Sequence, residues 1–135
     1  VDTDLLIEEN KNKSIKEIFL EDGESRFRDY ETETLKEVCN QPQKIVTTGG
    51  GMVLRIENRQ MMKQHGTVIF LYCDIEETAR RLSADQTRPL FKPDMEANKI
   101  RFEERLPWYQ EADIIIDTTN KTVEEIVAEI RCYFE

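Results

Sequence analysis

Apolar residues recur along this chain in two rhythms, and each predicts a different element. In residues 24–40 (ESRFRDYETETLKEVCN), Phe27, Tyr30, Thr34, Leu35 and Val38 lie on one helical face, and the following NQPQ is a connector. Just upstream, NKSIKEIF offers Ser14 as an N-cap with Glu17 three residues on, a capping box that opens a short helix with Gly23 as its stop. Near the far end, TVEEIVAEIRCYF sets Val123, Ile126, Val127, Ile130, Tyr133 and Phe134 on one stripe, behind a second capping box of Thr122 and Glu125.

Other stretches are apolar without helical gaps. Residues 67–73 (TVIFLYC) read as a strand covered on both faces, ADIIID as a last buried strand, and residues 44–48 (KIVTT) as a short β-branched run. The opening VDTD reads as the end of a strand. Between these, ENRQMMKQHG predicts a helix over residues 58–65 stopped by Gly66, and Asp74 with Glu77 caps another that reaches about residue 82. The polar SADQTRPLFKPD, with two prolines, predicts a loop or flap before a helix over residues 94–105. Strands alternating with helices make an open α/β domain around a parallel sheet, with no internal repeat.

Composition narrows the partners. At 135 residues the chain is expected to form one domain, residues 1–135. A net charge of −9 leaves no overall footprint for nucleic acid or an anionic membrane, so an anionic ligand must be met by a few local arginines. The longest apolar run, residues 68–73, is too short to span a bilayer, and VDTDLLIEEN is acidic where a secretory signal would be basic and then apolar. A cytoplasmic location is expected. The chain opens on Val1 rather than Met, which suggests a fragment. Cys39, Cys73 and Cys132 form no CxxC pair and give no zinc spacing with His65, so they read as buried or partly buried free thiols.

The residues with chemical potential gather at predicted strand ends, where open α/β sheets bind ligands. Gly49, Gly50 and Gly51 follow the 44–48 run and offer bare backbone N–H groups to a ligand; the alternative is a tight turn needing positive φ. Asp2 and Asp4 sit on one side of an extended chain, suiting one to a metal's water shell and the other to a hydroxyl; the alternative is a solvated strand end or a helix cap. Arg28, beside Phe27, and Arg105, shortly before Pro107, each suit a bidentate pair with a carboxylate, or a plain surface role. Arg88 precedes Pro89 in the flap, with Arg80 and Arg81 upstream, and suits a phosphate that the flap covers, or a solvated basic cluster. His65 reads as a helix-end cap, and Trp108 and Tyr109 as packing for their helix end.

Taken together, VDTDLLIE, SIKEIFLEDGESRFRDYE, TTGGGMV, TRPLF and RLPWY, in that order and spacing, resemble shikimate kinase from Val1 to the end of the chain. The resemblance implies the three-layer, nucleoside-monophosphate-kinase-like P-loop fold, a parallel sheet with helices on both faces. It implies transfer of the ATP γ-phosphate to the 3-hydroxyl of shikimate on the route to chorismate and the aromatic amino acids, with Mg2+ accompanying ATP. By the same resemblance, Asp4 contacts the shikimate hydroxyls and orients or deprotonates the attacking one. Arg28 and Arg105 clamp the carboxylate, Gly49, Gly50 and Gly51 line the ring, and Asp2 supports magnesium through water. Arg88 covers the ATP phosphates and Arg81 and Asn120 lie near the nucleotide. The substrate-binding region is expected over residues 2–53 and the lid over residues 81–93. The partners expected are shikimate and ATP, with no nucleic acid or membrane, and a monomer.

The family's phosphate loop, GxxxxGK[ST], is not in this sequence, since none of its five glycines is followed by lysine. The expectation is a chain lacking the first strand, P-loop and first helix, about 30 residues, and inactive as given. The alternatives are a non-catalytic small-acid binding module and a sister kinase of the same fold, such as a gluconate kinase.

Overall fold

Asp2 shows how the chain starts its first helix. Its Oδ1 accepts the backbone N–H groups of Asp4 at 2.9 Å and Leu5 at 3.3 Å, amides that have no partner inside a helix, and α1 (Thr3–Lys11) runs from there. A computed structural model describes residues 1–42, 44–74, 77 and 95–135, which fall into two compact units, one carrying Val1–Gly66 and the other the described residues from Thr67 on.

In the first unit α1 ends at Asn12, whose φ of 52° is left-handed, a conformation that asparagine tolerates. Ser14 then caps α2 (Ile15–Glu21) by accepting the Glu17 N–H at 3.1 Å, as its sequence predicts. Gly23 does not simply stop that helix. With φ at +85°, a region costly to side-chain-bearing residues, it bends the chain straight into α3 (Gly23–Cys39). The predicted face of α3 is the buried one: Phe27, Tyr30, Thr34, Leu35 and Val38 all face inward. Ile7, Ile15, Ile18, Phe27 and Tyr30 form the core, with Phe19 tilted against Phe27 at 4.8 Å between ring centroids.

The 44–48 run departs from expectation. Among the described residues it forms one parallel bridge, Thr47 with Asp2, through Thr3 N–H to Thr47 O at 3.0 Å and Thr47 N–H to Val1 O at 2.8 Å, with the Val1 amino group also donating to Ile45 O at 2.8 Å. Thr3 is already helical, so the opening strand is one bridge long, and Ile45 stays 86 % exposed. A 3₁₀ turn (Gly50–Leu54) follows the glycines, and α4 (Ile56–His65) begins two residues earlier than predicted. It ends at Gly66, with the His65 Nδ1 2.9 Å from Met61 O, a helix-end role as expected.

The second unit is built on β1 (Ile69–Tyr72) and β2 (Ile114–Asp117), paired in parallel from Ile69 with Ile114 to Tyr72 with Asp117. Thr118 extends the ladder, its N–H and hydroxyl both donating to Tyr72 O at 2.7 and 2.8 Å. α5 (Met95–Tyr109) carries Phe102 and Tyr109 against the strands. Tyr109 stacks on Phe70 at 4.9 Å, and Phe102 lies 6.0 Å from Tyr72. That stacking carries the helix past residue 105 in spite of Pro107.

Cover on both strand faces is not complete among the described residues, since Leu71 and Ile115 are each about half exposed while Ile116 is buried. α6 (Val123–Cys132) has the predicted capping box, but its stripe is not buried: Val123 is 72 % exposed. Cys132 at its end is exposed, against expectation, because none of the helix's residues is buried; Cys39 and Cys73 are half-buried free thiols as expected. The cap of the helix after β1 is present, with the Glu77 N–H donating to Asp74 Oδ1 at 2.8 Å. The body of that helix and the flap lie outside the described residues. No helix among the described residues is long and apolar enough to cross a membrane.

Candidate functional site

Arg28 is the centre of the site in the first unit. Its neighbour Phe27 is core, so α3 presents Arg28 at the edge of that core with its side chain only 11 % exposed. The next turn of the helix brings Glu31 beside it, 1 % exposed, and Arg28 Nη1 donates to Glu31 Oε1 at 2.7 Å. The guanidinium carbon stands 5.3 Å from the Phe27 ring centroid. Among the described residues Arg28 Nε, which is buried, has no hydrogen-bond partner, and one ion pair, an aromatic face and the floor below hold the group.

That floor is Gly51. A Cβ placed there would lie 2.0 Å from Arg28 Nη1, 2.5 Å from Cζ and 2.8 Å from Nη2. With the guanidinium in this place no side chain fits, so a bare backbone at Gly51 lets the arginine sit where it does. The turn explanation fails for this run: Gly49 has φ of −72°, and Gly23 is the one glycine with positive φ. Glycine at Gly51 therefore serves the arginine, in addition to any ligand.

The turn itself is pinned from behind. Met52 is fully buried, and its carbonyl accepts Asn58 Nδ2 at 3.1 Å from α4. Asn58 Oδ1 accepts the Thr32 hydroxyl at 2.9 Å, which returns the contact to α3. Arg55 reaches the same helix, with Nη2 on Asp29 Oδ1 at 2.7 Å and Nη1 on Thr32 Oγ1 at 3.3 Å. Arg59 Nη1 donates to Val53 O at 2.7 Å. Sequence reasoning missed Glu31, Thr32, Arg55 and Asn58. Only Glu31 left a local signal, an acid three residues after Arg28 on a helix.

The two aspartates separate in role. Asp2 is the cap of α1, as the helix-cap alternative anticipated, with Oδ1 committed to two amides. Asp4 sits in the first turn of α1, half-buried, its N–H on Asp2. Among the described residues no cluster of three or more His, Cys, Asp or Glu could hold a metal ion. Magnesium keeps several waters and takes one or two carboxylates rather than an all-protein cage, so the capping carboxylate of Asp2, with Oδ1 engaged by amides, fits a role in its water shell.

Arg105 lies on α5 in the second unit, partly buried. Asn120 stands in the exposed turn before α6 with φ of 58°. Arg81 and Arg88 lie outside the described residues. In chemical terms, the first unit offers a nearly buried arginine fork above a bare backbone turn, with a carboxylate, Asp4, on a neighbouring helix. That set can bind an anion and accept a proton from a hydroxyl.

Comparison with known proteins gives the same direction. The family model described as shikimate kinase matches residues 1–133. A shikimate kinase of Bacillus mycoides (strain KBAB4) is 52 % identical over 132 residues, 97 % of this chain and 79 % of the relative. One from Geobacter metallireducens is 43 % identical over 136 residues, 99 % of this chain and 76 % of that protein. Among solved structures, a shikimate kinase from Acinetobacter baumannii in complex with shikimate has a TM-score of 0.93 at 30 % identity, covering 98 % of this chain and 76 % of that one. The fold is accordingly the P-loop kinase fold, an α/β architecture with a parallel sheet. The chain belongs to the shikimate kinase family.

Proposed function

We propose that the full-length protein transfers the γ-phosphate of ATP to the 3-hydroxyl of shikimate, and that the first unit binds the acceptor. The observation that carries this reading is the Arg28 guanidinium held against Gly51 by the buried Glu31. An arginine fixed in that way presents its remaining N–H groups to a carboxylate without having to order a long side chain on binding. Arg105 is the second arm of the clamp, and Gly49 and Gly50 line the ring of the substrate.

Asp4 orients the attacking hydroxyl and takes its proton as the oxygen bonds to the γ-phosphorus; the bond from that phosphorus to the β,γ-bridging oxygen breaks, and ADP leaves. Arg88 and Arg81 neutralise the phosphates, and Asn120 lies by the nucleotide. Magnesium bound with ATP would spread the phosphate charge, and Asp2 would reach it through water. Residues 1–135 act as one domain, with the substrate region at 2–53 and the lid at 81–93, in a cytoplasmic monomer. Neither the small-acid binding module nor a gluconate kinase is favoured, because the relatives are named shikimate kinases.

The test is a coupled ADP assay on the full-length protein with a panel of hydroxy acids. ADP release that does not depend on shikimate sinks the proposal. Arg28→Ala should raise the KM for shikimate far more than that for ATP; equal effects would remove Arg28 from acceptor binding.

A further inference from the structure

Between α3 and the glycine turn lies a buried polar relay that packing alone does not require. Asn58 is 1 % exposed and Thr32 6 %. An apolar pair of the same shape would fill that space at less desolvation cost, so two buried hydrogen-bonding side chains need a reason. Their bonds supply one. Asn58 Nδ2 holds Met52 O, the carbonyl next to Gly51, and Asn58 Oδ1 accepts from Thr32 Oγ1. Thr32 is one turn along α3 from Arg28, whose carbonyl is 3.2 Å from the same hydroxyl.

The Thr32 hydroxyl has one proton and two acceptors in reach, and the 2.9 Å contact to Asn58 is the shorter. Arg55 Nη1 donates to the hydroxyl oxygen, which favours directing the proton outward to Asn58. The relay thus runs from the helix that carries the arginine to the turn that carries its glycine floor. Those are the two parts whose separation matters most, because Gly51 and the guanidinium are already in contact with no space for a Cβ.

We propose that Thr32 and Asn58 are positioning residues for the acceptor site, setting the height of the Gly50–Leu54 turn against the Arg28 guanidinium. The inference rests on the reading of Arg28 and Gly51 as shikimate-binding. If the relay loses its hydroxyl, the turn is free to shift, and substrate binding weakens while phosphoryl transfer from ATP, once shikimate is bound, does not.

The decisive comparison is Thr32→Val with Thr32→Ser in the full-length protein, measuring kcat and both KM values. T32V should raise the KM for shikimate about tenfold, the range of one buried hydrogen bond left half-made, with kcat and the KM for ATP within about threefold. T32S, which keeps the hydroxyl, should restore the wild-type value. Should T32V not fold, Thr32→Ala removes the same hydroxyl and is read the same way. A shikimate KM unchanged in the folded hydroxyl-less variant, or a T32S enzyme as impaired as T32V, overturns the inference while leaving the kinase reading intact. A wild-type enzyme that does not phosphorylate shikimate overturns the reading itself.

Discussion

The close approach of Gly51 to Arg28 makes Gly51→Ala the sharpest perturbation available. The added Cβ would stand 2.0 Å from Nη1, whereas ordinary contact begins at 3.4 Å, so the guanidinium has to retreat by more than an ångström. It can do so, because it is the end of a flexible side chain, and the turn's backbone need not unfold. What it cannot do is keep the 2.7 Å bond to Glu31 in its present geometry, since Nη1 is both the bonded atom and the closest one to the new methyl. Charge-assisted hydrogen bonds are worth about 1.5–3 kcal/mol each. If one such bond to the substrate carboxylate is lost with the misplaced fork, the KM for shikimate rises roughly 10- to 100-fold.

The assay is steady-state ADP release with shikimate and ATP varied in turn, alongside thermal unfolding to confirm that G51A is folded. The KM for ATP should stay within about threefold, because the mutation lies on the acceptor side. A folded G51A with an unchanged shikimate KM would refute the reasoning outright: it would mean that the guanidinium's place above Gly51 is irrelevant to binding. A fall in kcat with both KM values constant would point instead to a role confined to the transition state.

Other glycines and caps give cheaper checks. Gly66→Ala meets nothing within 4 Å at an ordinary extended φ and should change stability by less than about 0.5 kcal/mol, whereas Gly23→Ala, at φ +85°, should cost about 1 kcal/mol or more in urea unfolding. The Thr122 N–H, then the Thr122 hydroxyl and the nearby Lys121, hold the Glu125 carboxyl below its ordinary value. A depressed folded value means that this contribution is fully present above the unfolded pKa and is lost as pH falls through the folded one; a carboxyl carbon NMR titration giving Glu125 an ordinary midpoint contradicts it. Thr122→Ala should cost about 1 kcal/mol of stability by removing the cap. Burial pushes the half-buried Cys39 thiol up, while Cys132 is exposed, so a maleimide at neutral pH should label Cys132 first; the reverse order would contradict both placements.

What was readable in the sequence is what local physics decides. Ser14 with Glu17 and Thr122 with Glu125 cap their helices because a side chain and an amide three residues away meet by helix geometry alone. The face of α3 was legible for the same reason. Gly23 was misread because a glycine between two helical patterns looks alike whether it stops one helix or bends into the next, and φ decides which. The 44–48 run was misread because β-branched residues signal a strand only where a partner pairs along their length, and here one bridge does. Arg28 and Gly51 were legible as types, but their contact, like the link from Thr32 to Asn58, joins residues more than twenty positions apart, and no periodicity encodes that.

One feature of the site runs against intuition: an arginine assigned to a substrate carboxylate already has a carboxylate of its own. A guanidinium carries five N–H donors, and Glu31 takes one of them through Nη1. At 1 % exposure the Glu31 carboxylate is held out of water, and its 2.7 Å bond to Arg28 Nη1 is charge-assisted, a geometry that a buried pair keeps. The acid therefore fixes the rotamer before any substrate arrives, and the binding energy that would go to ordering a long side chain is kept for the ligand. Gly51 completes the arrangement from the opposite side, where any larger residue would push the fork off its partner. Neither Glu31 nor Gly51 need touch shikimate for both to govern how tightly it is held.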